Sequence, residues 1–255
     1  MKRLLALLAV ALLAGCAAPP QDIRTASDMT DDDRRARLRL ELASGYFARG
    51  QPTTALDEVK QALAARPDLP EGYSLRGLIY ASLGEQRLAE ESFQRALQLD
   101  PRSGDTLHNY GWFLCQLQRW DEAAARFDQA IANPQYRDVP RTLQAKGLCE
   151  ARAGRLREAE RNLSRAYEMD PSNPGAAFIL SDVLYRLGEF ERARFYLRRV
   201  NADAATSNAQ TLWLAARIEH RLGNEPGVRT LGEQLQRRFP QSPEALQYER
   251  GRFDG

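Results

Sequence analysis

Between residues 36 and 242, apolar side chains return every three or four positions, in runs punctuated by glycine and proline. That spacing lays them along one stripe of a helix with about 3.6 residues per turn. The runs themselves recur. Ala55, Ala89, Ala123, Ala159 and Ala193 stand 34, 34, 36 and 34 residues apart. Four residues after each alanine comes Val59, Phe93, Phe127, Leu163 or Leu197. Seven after comes Ala62, Ala96, Ala130, Ala166 or Val200. Twelve before each lies a small residue, Ala43, Gly77, Gly111, Gly147 or Ser181, and five before lies Gly50, Gly84, Gln118, Gly154 or Gly188. Twelve after come Pro67, Pro101, Gln135 (beside Pro134), Pro171 and Ala205.

Each unit therefore predicts two helices, a glycine turn between them and a proline that ends the second. The small residues let paired helices approach closely, and the phenylalanine or leucine fills the space beside them. This pattern resembles the tetratricopeptide repeat. The expected fold is all-α, a tetratricopeptide repeat α-solenoid wound into a right-handed superhelix. Six repeats are expected within residues 33–250, at about 36–69, 70–103, 104–139, 140–173, 174–208 and 209–242, the last a degenerate unit around Trp213, Val228, Leu235 and Pro240. Ahead of them Thr30 precedes Asp31, Asp32 and Asp33, a hydroxyl cap and a negative first turn that suit a helix N-terminus better than a metal site.

The chain opens with Lys2 and Arg3, an apolar stretch from Leu4 to Ala14, then Gly15 and Cys16. A positive start and a short apolar core describe a secretory leader. The stretch is too short to span a bilayer, which takes about 20 residues on a helix. Leu13-Ala14-Gly15-Cys16 resembles a bacterial lipobox. The resemblance implies removal of residues 1–15, lipidation of Cys16 and a flexible tether over 16–32. Ala17, in place of the aspartate that retains lipoproteins at the inner membrane, implies an outer-membrane destination, lipid-anchored at the periplasmic face.

Composition removes several function classes. Without Lys2 and Arg3 the chain holds 34 basic and 34 acidic residues, so no polyanion or nucleic-acid partner is expected. The two histidines, His108 and His220, have no ligand-spaced partner and are expected to be surface imidazoles. No phosphate loop, paired-cysteine metal motif or nucleophile elbow occurs. The expectation is a binding protein: no catalytic residue, no metal, no cofactor, no small-molecule substrate. In a helix-pair solenoid the first helices line the concave face. Positions 5, 9 and 12 of those helices share a side, and they hold Leu40, Phe47, Leu78, His108, Trp112, Leu148, Phe178, Tyr185 and Trp213. Apolar side chains at open positions point to a protein partner. The expected contact strip is Phe47, Leu78, Trp112, Leu148, Phe178 and Tyr185.

Asn109-Tyr110-Gly111-Trp112-Phe113-Leu114-Cys115, the longer junction Asn133-Pro134-Gln135-Tyr136, and Gly147-Leu148-Cys149-Glu150 resemble the type IV pilus biogenesis and stability lipoproteins of Gram-negative bacteria, the PilF/PilW type. Lys146 departs from the asparagine expected there and is taken as surface-facing. The resemblance implies a pilotin that binds the pilus secretin subunit and promotes its outer-membrane localisation and multimerisation. A tetratricopeptide lipoprotein scaffold in outer-membrane barrel assembly or envelope hydrolase regulation shares every fold feature except the cysteine-bearing signature.

Once Cys16 is lipidated, Cys115 and Cys149 are the remaining thiols, one repeat apart and in an oxidising compartment. They occupy positions 12 and 10 of successive first helices, directions about 160° apart on one helix, and opposite faces of stacked copies are the ones that meet. The offset along the axis is only about 3 Å, so a disulfide is expected, with two free buried thiols as the alternative. The leader and Cys16 carry the first testable outcome. Cys16→Ser is expected to leave the protein in the soluble fraction or as uncleaved precursor, read by membrane fractionation and intact mass. Unchanged co-fractionation with the outer membrane would refute the anchor.

Overall fold

The computed structural model describes residues 30–253, and Cys16 and the leader lie outside them. Among the described residues there are thirteen helices and no strand. Six helix pairs come first: α1 (Asp31–Ala48) with α2 (Pro52–Ala65), α3 (Pro70–Ser82) with α4 (Gln86–Leu99), and α5 (Gly104–Gln116) with α6 (Trp120–Ala132). They continue with α7 (Val139–Arg152) and α8 (Leu156–Met169), α9 (Pro174–Arg186) and α10 (Phe190–Ala202), α11 (Ala209–Arg221) and α12 (Glu225–Arg238). A short α13 (Pro243–Glu249) follows.

Local chemistry sets the ends of these helices. Thr30 and Asp33 form a reciprocal capping box on α1: the Thr30 hydroxyl accepts from the Asp33 N–H at 3.1 Å, and the Asp33 carboxylate accepts from the Thr30 N–H at 3.0 Å. Pro52, Pro70, Pro174 and Pro243 sit in first turns, where a missing N–H costs no helical hydrogen bond. Every first helix ends in the same Schellman turn. At α3, for example, Gly84 N–H donates to the Ala81 carbonyl and Glu85 N–H to that of Tyr80. The turn needs a left-handed residue, supplied by Gly50, Gly84, Gly154, Gly188 and Gly223 at φ between 71° and 80°. In the third repeat Gln118 takes that conformation at φ 60°.

Paired helices then close on a small residue. A Cβ at Gly77 would stand 2.8 Å from the Phe93 ring, and one at Gly111 would stand 2.8 Å from Phe127. Gly147 meets Leu163 in the same way, and Ser181 donates its hydroxyl to the Ala193 carbonyl at 2.8 Å. Phe93, Phe127, Leu163 and Leu197 are fully buried as a result. Within the stack each second helix packs on the next first helix, and successive first helices touch each other from α1 through α11 to α13. No two second helices approach one another among the described residues. The array therefore curves with its first helices on the inner side, which is where the candidate groove lies.

The Gln118 turn gives a stability test. A side chain in the left-handed region costs roughly 1–2 kcal/mol, partly offset because glycine raises the entropy of the unfolded chain. Gln118→Gly is expected to raise the urea midpoint by the equivalent of about 0.5–1 kcal/mol. A lower midpoint would contradict the strain argument.

Candidate partner-binding groove

The inner face is built from one stripe of each first helix. Phe47, Leu78, Trp112, Leu148 and Phe178 are half-buried along it. Phe47, Leu78, Trp112 and Phe178 pack inward on the core clusters of their repeats. The Arg152 guanidinium lies 5.3 Å over the Trp112 ring, so that anchor carries a cation on its flank. Tyr185 is a correction to the expected strip. It is 8 % exposed, set 5.5 Å from Phe190 and capped by the Arg217 guanidinium at 4.6 Å. The neighbouring first helix covers it, so Tyr185 is floor rather than contact surface.

His108 is a second correction: it is buried at 6 % exposure, not a surface imidazole. Its Nδ1 lies 2.8 Å from the Thr142 hydroxyl, which in turn lies 2.9 Å from the Tyr136 hydroxyl. Tyr136 belongs to the junction that is two residues longer than the others, and it packs against Gly104. The longer junction thus inserts a ring that closes the polar chain between repeats three and four. Burial, with the nearby Arg141 cation, pushes the imidazole pKa down to about 4, against a smaller opposing pull from Asp138.

Two turns further along, Cys115 of α5 and Cys149 of α7 are joined in a disulfide, with Cα atoms 5.8 Å apart and both side chains buried. Beside it the Glu150 carboxylate is buried, accepts two hydrogen bonds from Asn162 Nδ2 at 2.7 and 3.0 Å, and is held above the usual carboxylate range by burial. Lys146 is not surface-facing either. Its ammonium is largely covered, donating to Asp128 at 2.5 Å and lying 3.9 Å from Glu150. The cation compensates a buried acid, which accounts for a lysine at that position.

At the far end the sequence pattern missed a contributor. Gly251 (φ 63°) ends α13 in the same Schellman turn, and Phe253 folds back onto α11. Its ring stacks on His220 at 4.3 Å and on Trp213 at 5.3 Å, and Arg217 Nε donates to its carbonyl at 3.0 Å. A lone phenylalanine in a polar tail carries no periodicity that would have flagged it.

The tetratricopeptide repeat family matches at residues 70–103, 92–125 and 150–218. The crystal structure of PilW, described as a widely conserved type IV pilus biogenesis factor, is 31% identical, superimposes with a TM-score of 0.76, and covers 83% of this chain and 96% of its own. The chain belongs to the PilF/PilW family of tetratricopeptide-repeat proteins. The type IV pilus assembly protein PilF of Pseudomonas aeruginosa is 27% identical over 95% of both chains. A solved structure from the functional characterisation of Pseudomonas aeruginosa pilF has the same fold, with a TM-score of 0.76 at 24% identity over 88% of this chain and all of that one.

In this PilF/PilW-family chain a cavity of about 580 Å³ lies away from the inner-face strip, between α10, α11 and α12. Two of the polar groups on that cavity serve the fold: Glu219 accepts from Asn224 Nδ2 at 2.7 Å, and Asn224 caps α12. Among the described residues no cluster of three His, Cys, Asp or Glu is arranged for a metal, and no helix is long and apolar enough to cross a membrane.

Two outcomes follow from the junction between repeats three and four. The unfolded imidazole takes up its proton near pH 6.5, while folded His108 does so only at about 4. Between those values the unfolded state binds more protons, so this contribution is intact above pH 6.5 and is lost as pH falls toward 4. Urea titrations across that window should show roughly 3 kcal/mol lost through this site, and His108→Gln should flatten that part of the curve. An unchanged slope in the variant would remove His108 as its cause. The disulfide closes a loop of 34 residues, so reduction or Cys115→Ser with Cys149→Ser is expected to cost about 3–4 kcal/mol. Intact mass after alkylation of denatured protein, with and without reductant, reports the bond itself.

Proposed function

We propose that this chain is a non-enzymatic outer-membrane lipoprotein of type IV pilus biogenesis, acting as a pilotin. In this reading Cys16 carries the lipid and the periplasmic repeats hold a pilus secretin subunit. The anchor brings the bound subunit to the outer membrane, where it multimerises. The observation that carries the reading is the extent of the likeness. PilF is matched over 95% of both chains, beyond the repeats that any tetratricopeptide protein shares. Tetratricopeptide arrays are interaction folds, and the half-buried Phe47, Leu78, Trp112, Leu148 and Phe178 form the kind of strip on which a few aromatic anchors supply most of the binding energy. With 34 basic and 34 acidic residues left after leader removal, affinity rests on apolar burial and depends weakly on salt.

Trp112→Ala with Phe178→Ala tests the groove. Each is expected to weaken binding of the purified secretin subunit by about 2 kcal/mol, roughly 30-fold, with helical circular dichroism unchanged. Loss of pili and of secretin multimers on gene deletion checks the pathway separately. Undiminished binding by a folded double variant would move the partner off the inner face.

A further inference from the structure

The end of the array is already occupied. After α12 the chain starts a seventh first helix, α13, which packs on α11 and α12 as the next repeat would. It stops after Glu249, and no second helix follows among the described residues. The turn at Gly251 instead sends Phe253 onto α11. There the chain meets Trp213, Arg217 and His220, spaced four and three residues apart and so on one side of the helix. These are positions 5, 9 and 12 of the sixth repeat, the same register that lines the inner face elsewhere.

The contacts amount to a recognition pattern. Two rings, His220 at an interplanar angle of 20° and Trp213 at 30°, stack on Phe253, with the Tyr248 ring edge-on at 6.2 Å. Arg217 reads the backbone: its Nε donates to the Phe253 carbonyl while its guanidinium lies over Tyr185 of the preceding repeat. A stacked ring plus one donor to a main-chain carbonyl recognises an aromatic residue in an extended peptide, whatever chain it belongs to. The resident segment is held lightly. Gly251 and Arg252 are exposed, and Phe253 itself is only half-buried.

We infer that the inner face of repeats five and six is a binding site for a partner peptide segment bearing an aromatic side chain, and that Phe253 occupies this site in cis until such a segment displaces it. The occupant is a protein segment with one exposed aromatic residue whose carbonyl can reach Arg217. A short tether holds the resident at an effective concentration in the millimolar range. A competing segment therefore binds with an apparent affinity reduced by the fraction of sites left open. This inference stands whether or not the partner is the secretin, because it rests on the contacts made by Phe253 and not on family likeness.

A fluorescein-labelled, amidated peptide with the sequence of residues 249–253 serves as the probe, read by anisotropy against the full-length protein in detergent. Phe253→Ala is expected to bind it at least about ten-fold more tightly than wild type. Adding Arg217→Ala to that variant should abolish the gain, and the same peptide with alanine in place of phenylalanine should not bind. A second form, ending after Gly251, repeats the measurement without the tail and retains the turn. Circular dichroism melting establishes that each form is folded. Equal affinity with and without Phe253, no saturable binding to either folded form, or equal binding of the alanine peptide would each overturn the proposal. Pilus and secretin phenotypes are untouched by these outcomes, so failure here is distinguishable from failure of the pilotin reading.

Discussion

Everything in this array depends on the contact between a small residue in each first helix and a large apolar side chain in its partner. A two-helix unit of this size cannot bury its own apolar stripe. Gly77 against Phe93, Gly111 against Phe127 and Gly147 against Leu163 bring the backbones close enough for the large side chain to be fully enclosed. The remaining apolar surface of each pair is then buried by the next pair, so stability accumulates by stacking. Because first helices touch one another and second helices do not, the same packing also produces the inner face on which apolar side chains stay half-exposed.

The middle of the array is tied more firmly than either side. Between repeats three and four a disulfide, a Tyr136–Thr142–His108 polar chain and the Asp128–Lys146 ion pair all bridge adjacent elements, and Lys146 also faces the Glu150 carboxylate. Buried polar groups are tolerable only when they are paired, and each of these is. The effect is to fix the angle between two repeats at the centre, next to Trp112 and Leu148. A groove whose neighbouring anchors keep their spacing loses less entropy when a partner docks. The far end, by contrast, is closed by one aromatic residue and one hydrogen bond from Arg217, contacts suited to exchange.

Much of the fold was legible from residues 36–242 because a repeat writes the same local requirement many times over. Period, turn glycines and small-to-large pairing each recur, so no single exception hides them. The capping role of Thr30 and Asp33 was legible for the same local reason: a hydroxyl and a carboxylate three residues apart serve neighbouring N–H groups. The inner-face strip was legible as helix positions. Its depth was not, since burial of Tyr185 depends on where Arg217, one repeat away, places its guanidinium.

The sequence by itself determined helix type, repeat number, the side of each helix that turns inward and the register that brings two cysteines within reach, all consequences of 3.6 residues per turn and a 34-residue period. Only the tertiary structure decided which polar side chains go inside. His108 is buried edge-on to Phe127 and bonded to Thr142 of the next repeat, whose hydroxyl Tyr136 of the longer junction also meets, and Lys146 is drawn in between Asp128 and Glu150. Phe253 finds Trp213 and His220 because Gly251 reverses the chain after a helix that ends early. Apart from the Lys146–Glu150 pair one turn apart on α7, these are contacts between residues about 6 to 40 positions apart, made across turns and repeat boundaries, and no local rule of spacing or propensity encodes them.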